Sequence, residues 1–405
     1  MPDKDVSKRY GIVDATQLRP LLKRIFRYFA AALLLIFTGM VAIGWKGFGS
    51  RGDEARRARM ATSPEWQDGH FENPQPLKND MLGALAAMFT ASRHVAPAAP
   101  LPVVDINPKI FEILPASKLR VTWLGHSATL VEIESFRVMT DPVFSERVSP
   151  FGFLGPKRWY PSPIRIHHLP PIDAVVISHD HYDHLDMASV VEIDETHKPL
   201  FIVPLGVGAH LAYWGIPESR IAELDWWQEK ILESQGKKLR VVMTPARHAS
   251  GRYLIDNNKK LWAGYALIGA QKRVYFSGDT GLFPAMKEIG AKLGPFDLTM
   301  IEVGQYHRTW PDWHIGPEQA VKAHTWVRGR VMLPVHWGLF VLAMHGWTEP
   351  VERTAKEAAA RGVKLATPRP GESFEPGITT LSRWWPQVEW QTAREHPIIS
   401  GQVEP

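Results

Sequence analysis

The densest chemistry in this chain is a six-residue run, His179-Asp180-His181-Tyr182-Asp183-His184. It directly follows an aliphatic strand pattern, Ala174-Val175-Val176-Ile177-Ser178. Three imidazoles and two carboxylates at the end of a buried strand are too costly to desolvate unless they bind something. Two histidines two apart in an extended turn point the same way, and the Asp183-His184 pair faces a second point close by. That arrangement suits two divalent ions sharing a water. Later strand patterns end in further candidates: His248 beyond Val241-Val242-Met243-Thr244-Pro245, Asp279 in Ser277-Gly278-Asp279-Thr280-Gly281, and His336 after Leu333-Pro334-Val335. Taken singly, a strand-end histidine is more often a satisfied polar residue than a ligand. Their joint occurrence downstream of the hexapeptide reverses that weighting.

Composition narrows the choice of ligand. The 405 residues include 17 histidines and no cysteine. Disulfides and thiolate sites are therefore excluded, and a transition-metal site must be built from imidazole and carboxylate. The balance of 47 basic against 42 acidic side chains is too even for a dedicated nucleic-acid binder. A hydrophobic share of 45% and a charged share of 22% are those of a folded chain.

The elements that must position these groups begin near residue 120. Strand patterns are expected at 121–124, 129–133, 137–140, 174–177, 200–203, 239–243, 262–268, 273–276, 298–303 and 330–335, each bounded by turn residues. Helical patterns occupy 282–293, 317–327 and 349–361, each opening with a Pro or an acid near its first turn. Early strands read as hairpins and later ones alternate with helices, which predicts an α/β domain of two mixed sheets.

The hexapeptide with His248, Asp279 and His336 resembles the metallo-β-lactamase superfamily over roughly residues 120–371. The resemblance implies a four-layer αββα sandwich with the site at one sheet edge. It places His179, His181 and His248 on one zinc ion, Asp183, His184 and His336 on a second, and Asp279 between them. Members that use a cysteine ligand are excluded. A narrower likeness rests on Trp123-Leu124-Gly125-His126-Ser127, Thr140-Asp141-Pro142, Gly155-Pro156-Lys157-Arg158, Leu169-Pro170-Pro171-Ile172-Asp173, Gly294-Pro295-Phe296-Asp297 and His336-Trp337-Gly338. These segments are similar to the N-acylphosphatidylethanolamine phospholipase D branch, in which a zinc pair cleaves a phospholipid phosphodiester.

From that resemblance the expected activity is metal-activated hydrolysis of N-acyl phosphatidylethanolamine or a related phospholipid. Asp183, Asp279 and His314 are the expected catalytic side chains. Asp279 would orient the nucleophile, and His314 would protonate the leaving group or bind phosphate; its plain alternative is a histidine preceding a helix. Asp141 and Asp186 are read as acceptors fixing imidazole tautomers, and His126 as a supporting or pocket-lining group. Two alternatives remain open at this stage: a lactonase or phosphoesterase acting on a soluble substrate, and a non-catalytic membrane-anchored scaffold that keeps the metal fold.

The remaining organisation is read from charge and hydropathy. Residues 1–27 form a basic segment, and 28–45 run eighteen residues without a charge. Such a helix, roughly 27 Å long, just crosses a hydrocarbon core, so 28–46 is expected to be a single transmembrane anchor rather than a cleaved signal. The distribution of Lys and Arg leans towards the hydrolase domain lying outside the cytoplasm, on the periplasmic side. Residues 47–117, rich in Pro, are expected to be a connector. Residues 118–380 should form the hydrolase domain and 381–405 a C-terminal extension.

Overall fold

The computed structural model describes residues 15–253 and 255–401. Residues 1–14 of the expected basic segment and 402–405 of the expected extension lie outside the described residues. The chain divides into two units, Met1–Gly47 and Phe48–Pro405.

The described part of the first unit, residues 15–47, is helical. Helix α1 (Ala15–Phe48) has its apolar stretch at Leu18–Phe48, with a mean hydropathy of 2.0 and only 6% of that window buried. It starts earlier than the uncharged run because Lys23, Arg24 and Arg27 are themselves good helix formers.

The second unit opens with two short helices, α2 (Glu54–Met60) and α3 (Met81–Ala87), and a small ribbon of β1 (Trp66–Gln67) and β2 (His70–Phe71). There follow β3 (Leu119–Gly125), β4 (Ala128–Ile133), β5 (Phe136–Thr140), β6 (Ala174–Val176), α4 (Met187–His197), β7 (Leu200–Pro204), α5 (Gly208–Tyr213) and β8 (Ile221–Leu224). The later half runs β9 (Glu229–Ser234), β10 (Lys237–Thr244), β11 (Gly264–Ile268), β12 (Arg273–Phe276), α6 (Ala285–Leu293), β13 (Phe296–Glu302), α7 (Pro317–Trp326), β14 (Gly329–Val335), α8 (Glu349–Arg361), β15 (Lys364–Leu365) and β16 (Ser373–Phe374).

These strands make two seven-stranded sheets, ordered β16-β3-β4-β5-β6-β7-β8 and β15-β14-β13-β12-β11-β10-β9. The hairpins β3-β4-β5 and β9-β10-β11-β12 are antiparallel, whereas β5 to β8 and β12 to β15 run parallel. Strand periodicity explains the layering. In the first sheet Val121, Trp123, Val131, Val138, Val176 and Ile202 face the second sheet in one core. The alternate residues Leu130, Met139, Val175, Ile177, Phe201 and Val203 face outwards and pack against Val190 and Ile193 of α4 and Leu211 of α5. Helices α6 to α8 join the larger core through Met286, Ile289, Val321 and Val351. The expected helix–sheet–sheet–helix sandwich is therefore the observed one.

Of the expected connector 47–117, residues 48–117 are built into this unit. Met60 and Phe71 are buried, and Phe71 packs edge-on against Trp66 with ring centroids 4.9 Å apart. Arg56 pairs with Glu223 at 2.7 Å. The C-terminal stretch is likewise packed: Trp384 stacks on Trp337 at 5.4 Å. Helix α6 begins at Ala285 rather than 282, because Leu282 and Phe283 enter the core from the preceding loop.

If 48–117 belongs to the folded unit, Phe71→Ala should lower unfolding free energy by about 3–5 kcal/mol, the usual cost of a fully buried Phe. Urea unfolding checks this; an unchanged midpoint would mean the segment is only a tether.

Candidate metal centre

The parallel pairing of β12, β13 and β14 brings their C-terminal ends to one edge, with Phe276 opposite Met300 and Glu302 opposite Val335. The residues just past those ends are Asp279, Glu302 itself and His336. The hexapeptide leaves β6 at the corresponding edge of the other sheet, and His248 follows β10. Gly278 makes the junction possible. It sits at φ +57, and a Cβ there would lie 2.6 Å from the Ala263 carbonyl and 2.7 Å from Ser178 Cβ. His126, Asp141 and His336 also hold positive φ, at 54, 35 and 65. Four left-handed turns at one edge mark where backbone freedom is traded for side-chain placement.

All seven expected ligands converge. His179 Nε2 lies 2.8 Å from His181 Nδ1, and His248 Nε2 lies 3.3 Å from the same atom. Two imidazole nitrogens on one tetrahedral zinc should stand about 3.3 Å apart. A second group combines Asp183, His184 and His336, with Asp183 Oδ2 3.2 Å from His184 Nε2 and 3.3 Å from His336 Nε2. Asp279 Oδ2 stands between the groups, 3.0 Å from His184, 3.1 Å from His336 and 3.9 Å from both His179 and His248. Among the described residues, the buried Asp279 Oδ1 has no hydrogen-bond partner.

Supporting groups set the tautomers. His248 Nδ1–H donates to the Trp313 carbonyl at 2.8 Å, leaving its Nε2 lone pair facing inwards. Asp141 Oδ2 accepts from His184 Nδ1 at 2.7 Å and from the Ser178 hydroxyl, which also stands 2.9 Å from His179 Nδ1. These donors fit divalent ions: lone pairs meet at common points, the opposite ring nitrogens are held, and the set is rich in borderline nitrogen donors.

The electrostatics divide the cluster in two. Burial, reinforced by neighbouring imidazoles, pushes His179 and His248 well below the usual range, and burial also lowers His181. These three are neutral imidazoles ready to coordinate. On the other side burial opposes charge, but the Asp279, Asp183 and Asp141 carboxylates hold His184 well above its usual value. His336 is held at about 10 against burial, by the Asp279 charge and hydrogen bonds with Asp183 and Asp279. Asp183 and Asp279 stay ionised despite burial, chiefly through the charge on His184.

A cavity of about 300 Å³ opens onto His181, Asp183, Asp279, His314 and His336, with Trp310, Trp313 and Leu342 among its walls. His314 Nδ1 stands 2.9 Å from Glu302 Oε2 and 3.7 Å from Asp279 Oδ2, so the residue expected near the reaction does line the cavity.

Of the expected supporting groups, Asp186 comes out differently and His126 stands where a supporting group should. Among the described residues Asp186 bonds to no imidazole of the cluster; it occupies the N-cap position of α4, and its carboxylate accepts from Ser145 N–H and the Ser189 hydroxyl rather than from a helix N–H. His126 is buried behind Asp183, with Nε2 2.9 Å from its Oδ2, and burial and His336 lower its pKa to about 3. Sequence reasoning missed Glu302, Ser178 and Asn73. Glu302 ends its strand between Met300-Ile301 and Val303, all buried and apolar, and a lone acid in that run was the available signal. Asn73 brackets His248 by accepting from its N–H and donating to its carbonyl, across 175 residues of chain that no local pattern reveals.

Comparison with known proteins agrees with this geometry. Residues 136–337 match the family model described as "Beta-lactamase superfamily domain". An uncharacterised protein of Mycobacterium tuberculosis is 47% identical over 339 residues, 81% of this chain and 89% of that protein. N-acyl-phosphatidylethanolamine-hydrolyzing phospholipase D 1 of Caenorhabditis elegans is 40% identical over 247 residues, covering 59% of this chain and 69% of its own. The solved structure of Igni18, a metallo hydrolase from Ignicoccus hospitalis, overlays with a TM-score of 0.50 at 25% identity, covering 64% of this chain and 98% of its own.

Ion binding must displace the protons that His184 and His336 carry at neutral pH. Uptake of zinc by the metal-free protein should therefore release about two protons and strengthen as pH rises toward 10. Calorimetric titration in buffers of different ionisation enthalpy checks this. A binding heat independent of the buffer would contradict the protonation pattern.

Proposed function

Because the chain belongs to the metallo-β-lactamase superfamily of metal-dependent hydrolases, we propose that it is a membrane-anchored zinc phosphodiesterase acting, in the manner of a phospholipase D, on N-acyl phosphatidylethanolamine or a related phospholipid. The observation that carries this reading is the convergence of five histidines and two aspartates at the floor of one cavity, in a chain 40% identical to the nematode enzyme over 247 residues. The apolar helix at Leu18–Phe48 supports a substrate that resides in a bilayer.

His179, His181 and His248 would hold one ion, and Asp183, His184 and His336 the other, with Asp279 shared between them. When bound, such ions supply Lewis-acid polarisation of a phosphoryl oxygen and lower the pKa of a bound water. Asp279 is fixed between the two imidazole groups and orients the attacking oxygen. His314 donates its Nδ1–H to Glu302, which leaves Nε2 as the atom that holds or passes a proton to the departing oxygen. Trp310, Trp313 and Leu342 exclude bulk water from the cavity and give an acyl-bearing substrate apolar surface to lie against.

The test is a substrate panel of N-acyl phosphatidylethanolamine in vesicles, soluble phosphodiesters and lactones, run with zinc analysis of the same samples. Turnover of the vesicle phospholipid, lost to background in both His179→Ala and Asp279→Asn, is expected. Removing residues 1–47 should lower vesicle turnover while leaving a soluble phosphodiester unaffected. A preference for lactones, or full activity in either substituted protein, would contradict the proposal.

A further inference from the structure

Next to His248 and Trp313 in the chain lies a charged pair that the proposed chemistry does not use. Arg247 and Asp312 are both almost completely buried, and their Nη1 and Oδ1 atoms are 2.9 Å apart. Burying such a pair is costly unless its remaining donors and acceptors are also satisfied, and here distant parts of the chain satisfy both Nη groups of Arg247 and both oxygens of Asp312, while Arg247 Nε has no partner among the described residues. Arg247 donates through Nη2 to the Pro76 carbonyl, and through Nη1 to the carbonyls of Leu282 at 3.3 Å and Gly401 at 2.9 Å. Asp312 accepts from the N–H of Lys78 and from the N–H of Gly401, each at 2.8 Å.

Every segment so gathered is adjacent to the site. Arg247 precedes His248, and its N–H donates to the Thr280 hydroxyl at 2.9 Å, one residue past Asp279. Its carbonyl accepts from Gly281 N–H at 2.8 Å. A Cβ on Gly281 would lie 2.2 Å from the Asp312 carbonyl, so the Asp279 turn and the 312 loop are in closest contact at that point. Asp312 is followed by Trp313, whose carbonyl fixes His248 Nδ1, and then by His314. Lys78 precedes Asn79, another wall of the cavity. The Ser400 hydroxyl donates to the Pro311 carbonyl at 2.9 Å and extends the same clasp into the C-terminal stretch.

The geometry points to Arg247 and Asp312 as positioning residues that, together with the C-terminal stretch through Ser400 and Gly401, lock the His248, Asp279 and His314 loops into one metal-binding and proton-transferring arrangement. This rests on the reading of the cluster as a metal centre. A planar guanidinium suits the task because it reaches several carbonyls at fixed angles, which an ammonium does not.

Asp312→Asn keeps the shape and removes the charge. A chain ending at Ile399 keeps the pair and removes the stretch from Ser400 on. Cobalt(II) provides a readout separate from turnover, since its visible absorption reports ligand geometry. Hydrolysis of bis(p-nitrophenyl) phosphate and the melting temperature are measured on the same samples. Each altered protein should show a changed cobalt spectrum and at least a tenfold weaker cobalt affinity. Its kcat should fall at least tenfold with KM within about twofold. Arg247→Lys should fall between the unsubstituted protein and Asp312→Asn. A lowered melting temperature with unchanged spectrum, affinity and kcat would reduce the pair to a structural role and overturn the inference. Should Asp312→Asn fail to fold, the shortened chain decides by the same readouts. Failure of the unsubstituted protein to take up cobalt would overturn the metal reading, and this role with it.

Discussion

The structure turns on the mutual approach of seven ionisable side chains within a dry sheet edge. Imidazoles 3 Å from one another, and carboxylates 3 Å from imidazoles, have few water partners to share their charge. Such a cluster is tolerable only when positive charge is supplied at its centre, either as protons on His184 and His336 or as metal cations. The remaining architecture serves that requirement. Parallel strands align three loop origins, left-handed turns at His126, Asp141, Gly278 and His336 aim the side chains, and Asp141, Ser178 and Trp313 hold ring nitrogens from behind.

Two electrostatically distinct halves follow from this. The half containing His179, His181 and His248 has no carboxylate in its immediate triad, so its rings are neutral and free to coordinate. The half containing His184 and His336 sits against Asp183 and Asp279 and carries protons that an ion must replace. One cavity therefore meets two environments, one set by burial and the other by fixed anions. Asp279 Oδ2 stands within 4 Å of imidazole nitrogens from both halves, which accounts for its central position.

Much of the site was legible in the chain because metal ligation compresses its signal. The hexapeptide concentrates four of the seven candidates, and His248, Asp279 and His336 each stand just past an aliphatic strand. The alternation of apolar residues likewise revealed β3 to β7 and β10 to β14. What stayed hidden has physical reasons. Strand β9 pairs at an edge and alternates Glu229, Lys230 and Glu233 with few apolar residues, so hydrophobic periodicity cannot expose it. Residues 48–117 look like a linker because their Pro content masks a few deeply buried anchors, Arg56, Met60 and Phe71. Asp186 sits beside the ligands in sequence, yet its carboxylate turns to Ser145 and Ser189 at the start of α4. Asn73 and Arg247–Asp312 act at the site through contacts that span much of the chain, and nothing local announces them.

The most direct test of the central claim is anomalous diffraction at the zinc absorption edge from crystals of the purified protein. The account requires two peaks, one enclosed by His179, His181 and His248 and the other by Asp183, His184 and His336, with Asp279 reaching toward both. Ordered side chains at this edge without an anomalous peak among them, in protein supplied with zinc, would contradict it.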